Sequence, residues 1–261
     1  MKLSDCQQSV AMGRASAQTG AMTVSPPFEQ TGIGVVVPYD FALDRELWRW
    51  VPDDISLHLT RTPYVPLAVT MEMVVHVSDP AVVARGTAEL KAVSPLVTAY
   101  ACTSGSFVSG LAGEAALVTA MKEAGAPAAV TTSGGLLTAL RHLDVHRIAT
   151  ATPYTADLTA GLSSYLAEAR VEVVAAAGLG LTAEIWTVPY GVTAQLVRDT
   201  DRPDAEAVFI SCTNLPTYDV IAPLEAELGK PVLTANQVTM WSALNVLGRK
   251  AVGPGQQLLA R

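Results

Sequence analysis

Val97-Thr98-Ala99-Tyr100-Ala101-Cys102-Thr103-Ser104 and Ala207-Val208-Phe209-Ile210-Ser211-Cys212-Thr213-Asn214 decide the fold. Each is a short apolar run that breaks at Cys-Thr followed by a small polar residue. A run of this kind reads as a parallel strand buried on both faces, and the polar break as the turn that leads out of it. The offset between the two is 110 residues, from Cys102 to Cys212. Other pairs follow in the same order. Gly125-Ala126-Pro127 answers Gly229-Lys230-Pro231. Thr131 and Thr234 come next, and then Ala139-Leu140 and Ala243-Leu244. Val37-Pro38-Tyr39 answers Thr152-Pro153-Tyr154. An ordered set of echoes at similar offsets predicts a duplicated unit.

Outward from these turns the chain alternates between two textures. Strands are predicted at 34–37, 55–61, 97–101, 128–131, 147–150, 171–175, 207–211 and 232–234. Helices are predicted at 44–50, 81–93, 111–124, 135–143, 157–170, 194–199, 224–228 and 238–247. Such alternation predicts an α/β protein with parallel sheets. With the duplication, it predicts two pseudo-symmetric Rossmann-like lobes with the active site in the cleft between them. The expected division is a flexible leader over 1–30, rich in Ser, Gln, Ala and Gly. A first lobe follows over 31–126, then a second over 127–235, with a C-terminal helix at 236–261 packing back on the first.

Composition narrows the function. The chain has 261 residues, 50% of them hydrophobic and 16% charged, with a net charge of −7. That supports a large core and argues against disorder. No cluster of Lys and Arg marks a nucleic-acid surface. No apolar run reaches the roughly 20 residues of a spanning helix, and no secretory signal pattern is present. The expected location is cytoplasmic, with no membrane or nucleic-acid partner and a homo-oligomeric state. The three cysteines, Cys6, Cys102 and Cys212, have no disulfide or metal-site spacing, and no ligand cluster surrounds the four scattered histidines. No metal and no cofactor are expected. Cys6 lies in the leader and receives no role. Gly178-Leu179-Gly180 lacks the third glycine of a dinucleotide fingerprint.

In open α/β sheets ligands bind beyond the C-terminal strand ends, so two facing lobes would set Cys102 and Cys212 opposite one another. A thiol at a helix N-terminus sees the positive end of the helix dipole, which predicts a lowered pKa. The hydroxyls of Thr103, Ser104 and Thr213 and the amide of Asn214 are suited to a carboxylate. Two thiols across a cleft predict acid–base or nucleophilic work on opposite faces of one carbon. Tyr154, at a strand end within the repeat, is a further candidate for the cleft.

These motifs, together with Gly34-Val35-Val36-Val37-Pro38, Ala149-Thr150-Ala151-Thr152-Pro153-Tyr154 and Leu228-Gly229-Lys230-Pro231-Val232, resemble the aspartate/glutamate racemase superfamily. The closer likeness is to its branch of maleate cis–trans isomerases and arylmalonate decarboxylases. The likeness implies two α/β lobes and cofactor-independent chemistry on a small carboxylic acid. It implies Cys102 as the thiol that adds to a double bond and Cys212 as its proton-handling partner. It also implies Thr103, Ser104, Tyr154, Thr213 and Asn214 as carboxylate-binding groups. The decarboxylases of that branch keep only the second cysteine, so two cysteines point to an isomerase. Phe41 and Glu184 fall where maleate isomerases carry asparagines, which predicts weaker binding of a small dianion and a larger or less charged substrate. The leading expectation is maleate-like cis–trans isomerisation. The alternatives are a two-base racemase, a decarboxylase of a malonate-type acid, and a non-catalytic small-acid binding protein.

Overall fold

The computed structural model describes residues 30–260. The expected leader therefore lies outside the described residues, apart from Gln30. The first sheet holds β1 (Thr31–Val37), β2 (Ile55–Arg61), β3 (Val97–Tyr100) and β4 (Ala129–Thr131), in the order β2-β1-β3-β4. The second holds β5 (Arg147–Thr152), β6 (Glu172–Gly178), β7 (Ala207–Ile210) and β8 (Val232–Thr234), in the order β6-β5-β7-β8. All pairings are parallel. Counted within each half, both sheets have the same order, 2-1-3-4. The duplicated α/β architecture is thus present, and β3 and β7, which end at the two cysteine turns, occupy equivalent places.

The helices of the first half are α1 (Asp44–Leu47), α2 (Met71–Val77), α3 (Pro80–Leu90), α4 (Thr103–Phe107), α5 (Gly110–Glu123) and α6 (Thr132–Leu143). The second half adds α7 (Ala156–Glu168), α8 (Tyr190–Thr200), α9 (Tyr218–Leu228), α10 (Ala235–Val246) and the single turn α11 (Gln257–Ala260). Two of the repeat's threonines acquire a physical role here. Thr131 caps α6 by accepting from the Gly134 N–H at 2.9 Å, and Thr234 caps α10 by accepting from the Gln237 N–H at 3.3 Å. A threonine at this position satisfies a backbone N–H that has no partner within the helix.

Two boundaries differ from expectation. β4 pairs with β3, so the chain changes sheet between β4 and β5, after α6, rather than at residue 127. The texture restarts at 127 because a new βα unit begins there, yet that unit completes the first sheet. The C-terminal segment is also not one helix. α10 ends at Val246, and Gly248 follows with φ +66°, a conformation that favours glycine and stops a helix. α10 does pack on β3 and β4 of the first sheet.

β1 shows how burial is distributed. Ile33, Val35 and Val37 face one apolar cluster with Trp50, Met240 and Leu244. Val36 points the other way, into a core that runs on into the second half. This is the two-residue alternation of a strand, apolar here on both sides because helices cover both faces. The halves are also joined by a buried carboxylate. Glu46 of α1, 6% exposed, accepts from the Thr217 N–H (3.2 Å), the Thr217 hydroxyl (2.8 Å) and the Asn236 amide (3.3 Å).

Burial outweighs those donors and raises the Glu46 carboxyl above its ordinary value. The folded protein therefore holds this proton more tightly than the unfolded chain. Stability from the group is fullest below the unfolded value and declines as pH rises toward the folded one. Urea unfolding of Glu46→Gln should remove that component. Relative to the variant, the wild type should lose stability as pH rises above about 4, the ordinary glutamate value. Glu46→Ala, which strands the Thr217 and Asn236 donors, should cost about 1–3 kcal/mol.

Candidate active site

Beyond the C-terminal ends of β1, β3, β5 and β7 lies a cavity shared by both halves. Cys102 and Cys212 both line it. Its other polar walls are Asp40, Thr103, Ser104, Tyr154, Thr213 and Asn214, and its apolar walls are Pro38, Phe41, Val69, Met73 and Ile185. The free space is about 20 Å³, near the room of a single water. The Val69 N–H donates to the Thr182 carbonyl at 2.7 Å, tying a loop of each half together beside the cavity. A wider open groove of about 540 Å³ runs between α7 and β6 with Tyr154 as a shared wall, but no thiol or carboxylate lines it.

The two thiols sit in different local structures. Cys102 is the N-cap of α4, with extended backbone at φ −144°, and its Sγ accepts from the Gly105 N–H at 3.3 Å. Cys212 has φ +83°, a left-handed conformation uncommon for a side chain with a Cβ. No helix starts there: α9 begins six residues later, at Tyr218. The expectation that both cysteines precede a helix holds for Cys102 and fails for Cys212. The tight turn instead points its N–H at the opposite half, where it donates to Thr103 Oγ1 at 3.2 Å.

The expected lowering of the thiol pKa values is also overturned. Burial pushes Cys102 up to about 11 and Cys212 up to about 12. The N–H groups of Gly105 and Asn214 pull in the other direction and lose. A five-residue helix and one or two N–H contacts cannot repay the loss of water around a thiolate in so closed a space. The neighbouring Asp40 carboxylate adds to the rise in both thiols.

Thr103, Ser104 and Tyr154 are placed where the sequence reading puts them, on the cavity wall. Thr103 spends only its lone pair on Cys212, so its hydroxyl proton remains available. Tyr154 is 2% exposed and lies beside Cys212 and Ser211. Thr213 and Asn214 also line the cavity but are engaged elsewhere. The Thr213 hydroxyl donates to the Ala101 carbonyl at 3.1 Å. The Asn214 amide donates to the Asp40 carbonyl at 3.0 Å and accepts from the Ala42 N–H at 2.9 Å. Their side chains lock the turns together, with the Thr213 proton used and one of the two Asn214 N–H donors left over. Phe41 is buried in the wall. Glu184 is not part of it: the residue is exposed, with φ +50°, and its neighbour Ile185 takes the cavity position. A loop of this kind has no periodicity from which to read which side chain turns inward.

Sequence reasoning also passed over Asp40, Val69, Met73 and Ile185. Asp40 carries a usable signal, since it lies three residues beyond the first strand's C-terminal end, where such sheets bind ligands. Val69 and Met73 come from a loop and from α2, a helix the sequence reading did not propose. Among the described residues, no group of three or more His, Cys, Asp or Glu side chains is arranged to hold a metal ion. No described helix is long and apolar enough to cross a membrane.

Two measurements follow from this geometry. Alkylation of Cys102 by iodoacetamide, read by peptide mass spectrometry, should show a midpoint above the free-cysteine value of about 8.5, because burial favours the neutral thiol. A midpoint at or below that value contradicts the burial argument. The positive φ at Cys212 should make Cys212→Gly more stable than Cys212→Ala by about 1 kcal/mol in urea unfolding, since only glycine adopts that backbone without strain.

Comparison with known proteins finds relatives that share this fold. A family model described as arylmalonate decarboxylase matches residues 70–260. The arylmalonate decarboxylase of Bordetella bronchiseptica is 36% identical over 151 residues, which cover 56% of this chain and 62% of that enzyme. The aligned part thus spans less than two thirds of that relative. The maleate isomerase of Nocardia farcinica is 30% identical over 186 residues, covering 68% of this chain and 74% of that enzyme. Among solved structures, a double mutant of arylmalonate decarboxylase in its liganded form superposes with a TM-score of 0.81 at 29% identity. It covers 88% of this chain and 99% of its own. A cysteine-to-serine mutant of the Nocardia farcinica maleate cis–trans isomerase, with a covalently bound succinylcysteine intermediate, superposes with a TM-score of 0.79 at 25% identity. It covers 88% of this chain and 98% of its own. With a match over residues 70–260 and two cysteine turns meeting at one cavity, the chain belongs to the arylmalonate decarboxylase family.

Proposed function

We propose that this protein is a thiol-dependent isomerase of a small unsaturated carboxylic acid, converting a maleate-like cis acid into its trans isomer. The observation that carries the reading is that Cys102 and Cys212 line one closed cavity from opposite halves. The succinylcysteine seen in the Nocardia farcinica isomerase supports it, since that adduct is a thiol added across a carbon–carbon double bond.

The Cys102 thiolate attacks one alkene carbon, forming a C–S bond. The π-electron pair moves onto the adjacent carbon and into its carboxylate. Cys212 gives its proton to that carbon, and the former double bond is now a single bond free to rotate. Cys212 then takes the proton back, the pair re-forms the double bond in the trans arrangement, and Cys102 leaves as thiolate. Thr103, Ser104 and Tyr154 supply hydroxyl donors to the carboxylate that receives the charge. Because the empty cavity holds about one water, the loops bearing Val69 and Ile185 must part to admit a four-carbon acid and then close to exclude solvent.

A second reading is favoured by the apolar wall of Phe41, Val69, Met73 and Ile185. A carboxylate pressed against such a wall loses its hydration, which promotes its departure as CO₂. Cys212 would then protonate the carbanion left behind. The two readings separate by product, since isomerisation conserves mass and decarboxylation releases CO₂.

Proton NMR of maleate with the purified protein should show fumarate growing at the expense of maleate. Cys102→Ser and Cys212→Ser should each lower kcat by about 10³-fold or more while leaving the fold intact. With Cys212→Ser, a substrate-mass adduct should accumulate on Cys102. Release of CO₂ from phenylmalonate without maleate turnover would replace the isomerase by the decarboxylase. Undiminished activity in Cys102→Ser would remove the adduct route. The rate should rise with pH above neutrality, because burial keeps both thiols protonated at pH 7 and the thiolate is the attacking form.

A further inference from the structure

We propose that Asp40 is a specificity-determining residue, whose carboxyl selects an N–H donor at the end of the substrate remote from its bound carboxylate and disfavours a second carboxylate there. The inference rests on the isomerase reading and narrows its substrate to a monocarboxylate bearing an amide or ammonium nitrogen, such as the half-amide of a cis-butenedioic acid.

Asp40 stands at the end of β1 and lines the same cavity as both thiols. Its backbone is held in place: its carbonyl accepts from the Asn214 amide at 3.0 Å, and the same amide's oxygen accepts from the Ala42 N–H two residues on, at 2.9 Å. Its carboxyl, by contrast, is met only by its own backbone N–H among the described residues and joins no salt bridge with them. An acceptor fixed by its backbone, with lone pairs to spare in a ligand cavity, is suited to meet a donor brought in by the ligand. The available hydroxyl donors, on Thr103, Ser104 and Tyr154, come from the turns after β3 and β5 and suit the substrate's carboxylate.

Among the described residues, no Lys, Arg or His stands on the cavity wall. A dianion entering it would place a second negative charge near Asp40 with no cation to offset either, in a closed and poorly hydrated space. Phe41, next in the chain, closes that side with an apolar ring and supplies no amide to a second carboxylate. Burial raises the Asp40 carboxyl, as expected of an acid met only by its own backbone N–H until a ligand arrives.

The test uses the full-length protein and two pairs of probes, one for binding and one for turnover. Succinate and succinamate, saturated and unreactive, are compared by isothermal titration calorimetry at pH 7.5. Maleate and maleamate are compared by proton NMR. The wild type should bind succinamate at least about 10-fold more tightly than succinate. Asp40→Asn, of the same shape, should reverse or narrow that ratio by about 10-fold, and Asp40→Ala should bring the two ligands within about 3-fold of each other. The turnover ratio of maleamate to maleate should move in the same direction, chiefly through KM. A wild type that prefers succinate, that binds neither ligand, or whose ratio is unchanged in Asp40→Asn overturns the proposal. The binding selectivity without turnover of either alkene would leave Asp40 in this role and remove the isomerase. Maleate turnover above that of maleamate, with the ratio indifferent to Asp40→Asn, would do the reverse.

Discussion

The site depends on a reciprocal contact between two turns. The Cys212 N–H donates to the Thr103 hydroxyl, and the Thr213 hydroxyl donates to the Ala101 carbonyl. Each bond contributes only about 1 kcal/mol net, but both cross from one half of the molecule to the other and both are buried. Together with the Asn214 bridge to Asp40 and Ala42, they set where one thiol stands relative to the other. Glu46 reinforces the same seam from outside the cavity, through Thr217 and Asn236. The cost of this rigidity is that the Thr213 hydroxyl has no proton left for a ligand, while the Asn214 amide keeps one of its two N–H donors.

Closure governs the acid–base character of everything inside. With room for about one water, the cavity withholds solvation from any anion. Both thiols and the Asp40 carboxyl accordingly shift toward their neutral forms, and the few N–H groups near the sulfurs do not reverse it. A resting site of neutral thiols resists oxidation and adventitious alkylation.

The duplicated halves share a topology and use it unequally. Cys102 caps a helix from an extended backbone, while its counterpart Cys212 occupies a strained turn at φ +83°. Tyr154 reaches the cavity. Tyr39, which answers it in the repeat, instead donates its hydroxyl to the Leu67 carbonyl at 2.7 Å. The β1 turn brings a carboxylate, Asp40, where the repeat has Thr155. The small acid proposed as substrate would meet two unlike walls.

The α/β class, the duplication, the eight strands of the described residues and the meeting of Cys102 with Cys212 were all legible in the sequence alone. Those features reside in local patterns: strand runs of three to seven residues, capping threonines, and Cys-Thr turns at matched offsets. The same sequence misplaced the change of sheet, because a strand's neighbours are set by long-range pairing that leaves no mark on the run itself. It named Glu184 instead of Ile185, because a loop has no period from which to read which side chain turns inward. It predicted acidic thiols from the helix dipole, a local effect. Only the tertiary structure closed the cavity over them, and desolvation, which depends on every wall at once, outweighed the dipole. Asp40 became a site residue for the same reason: its sequence position showed a strand end, and the fold supplied the enclosure.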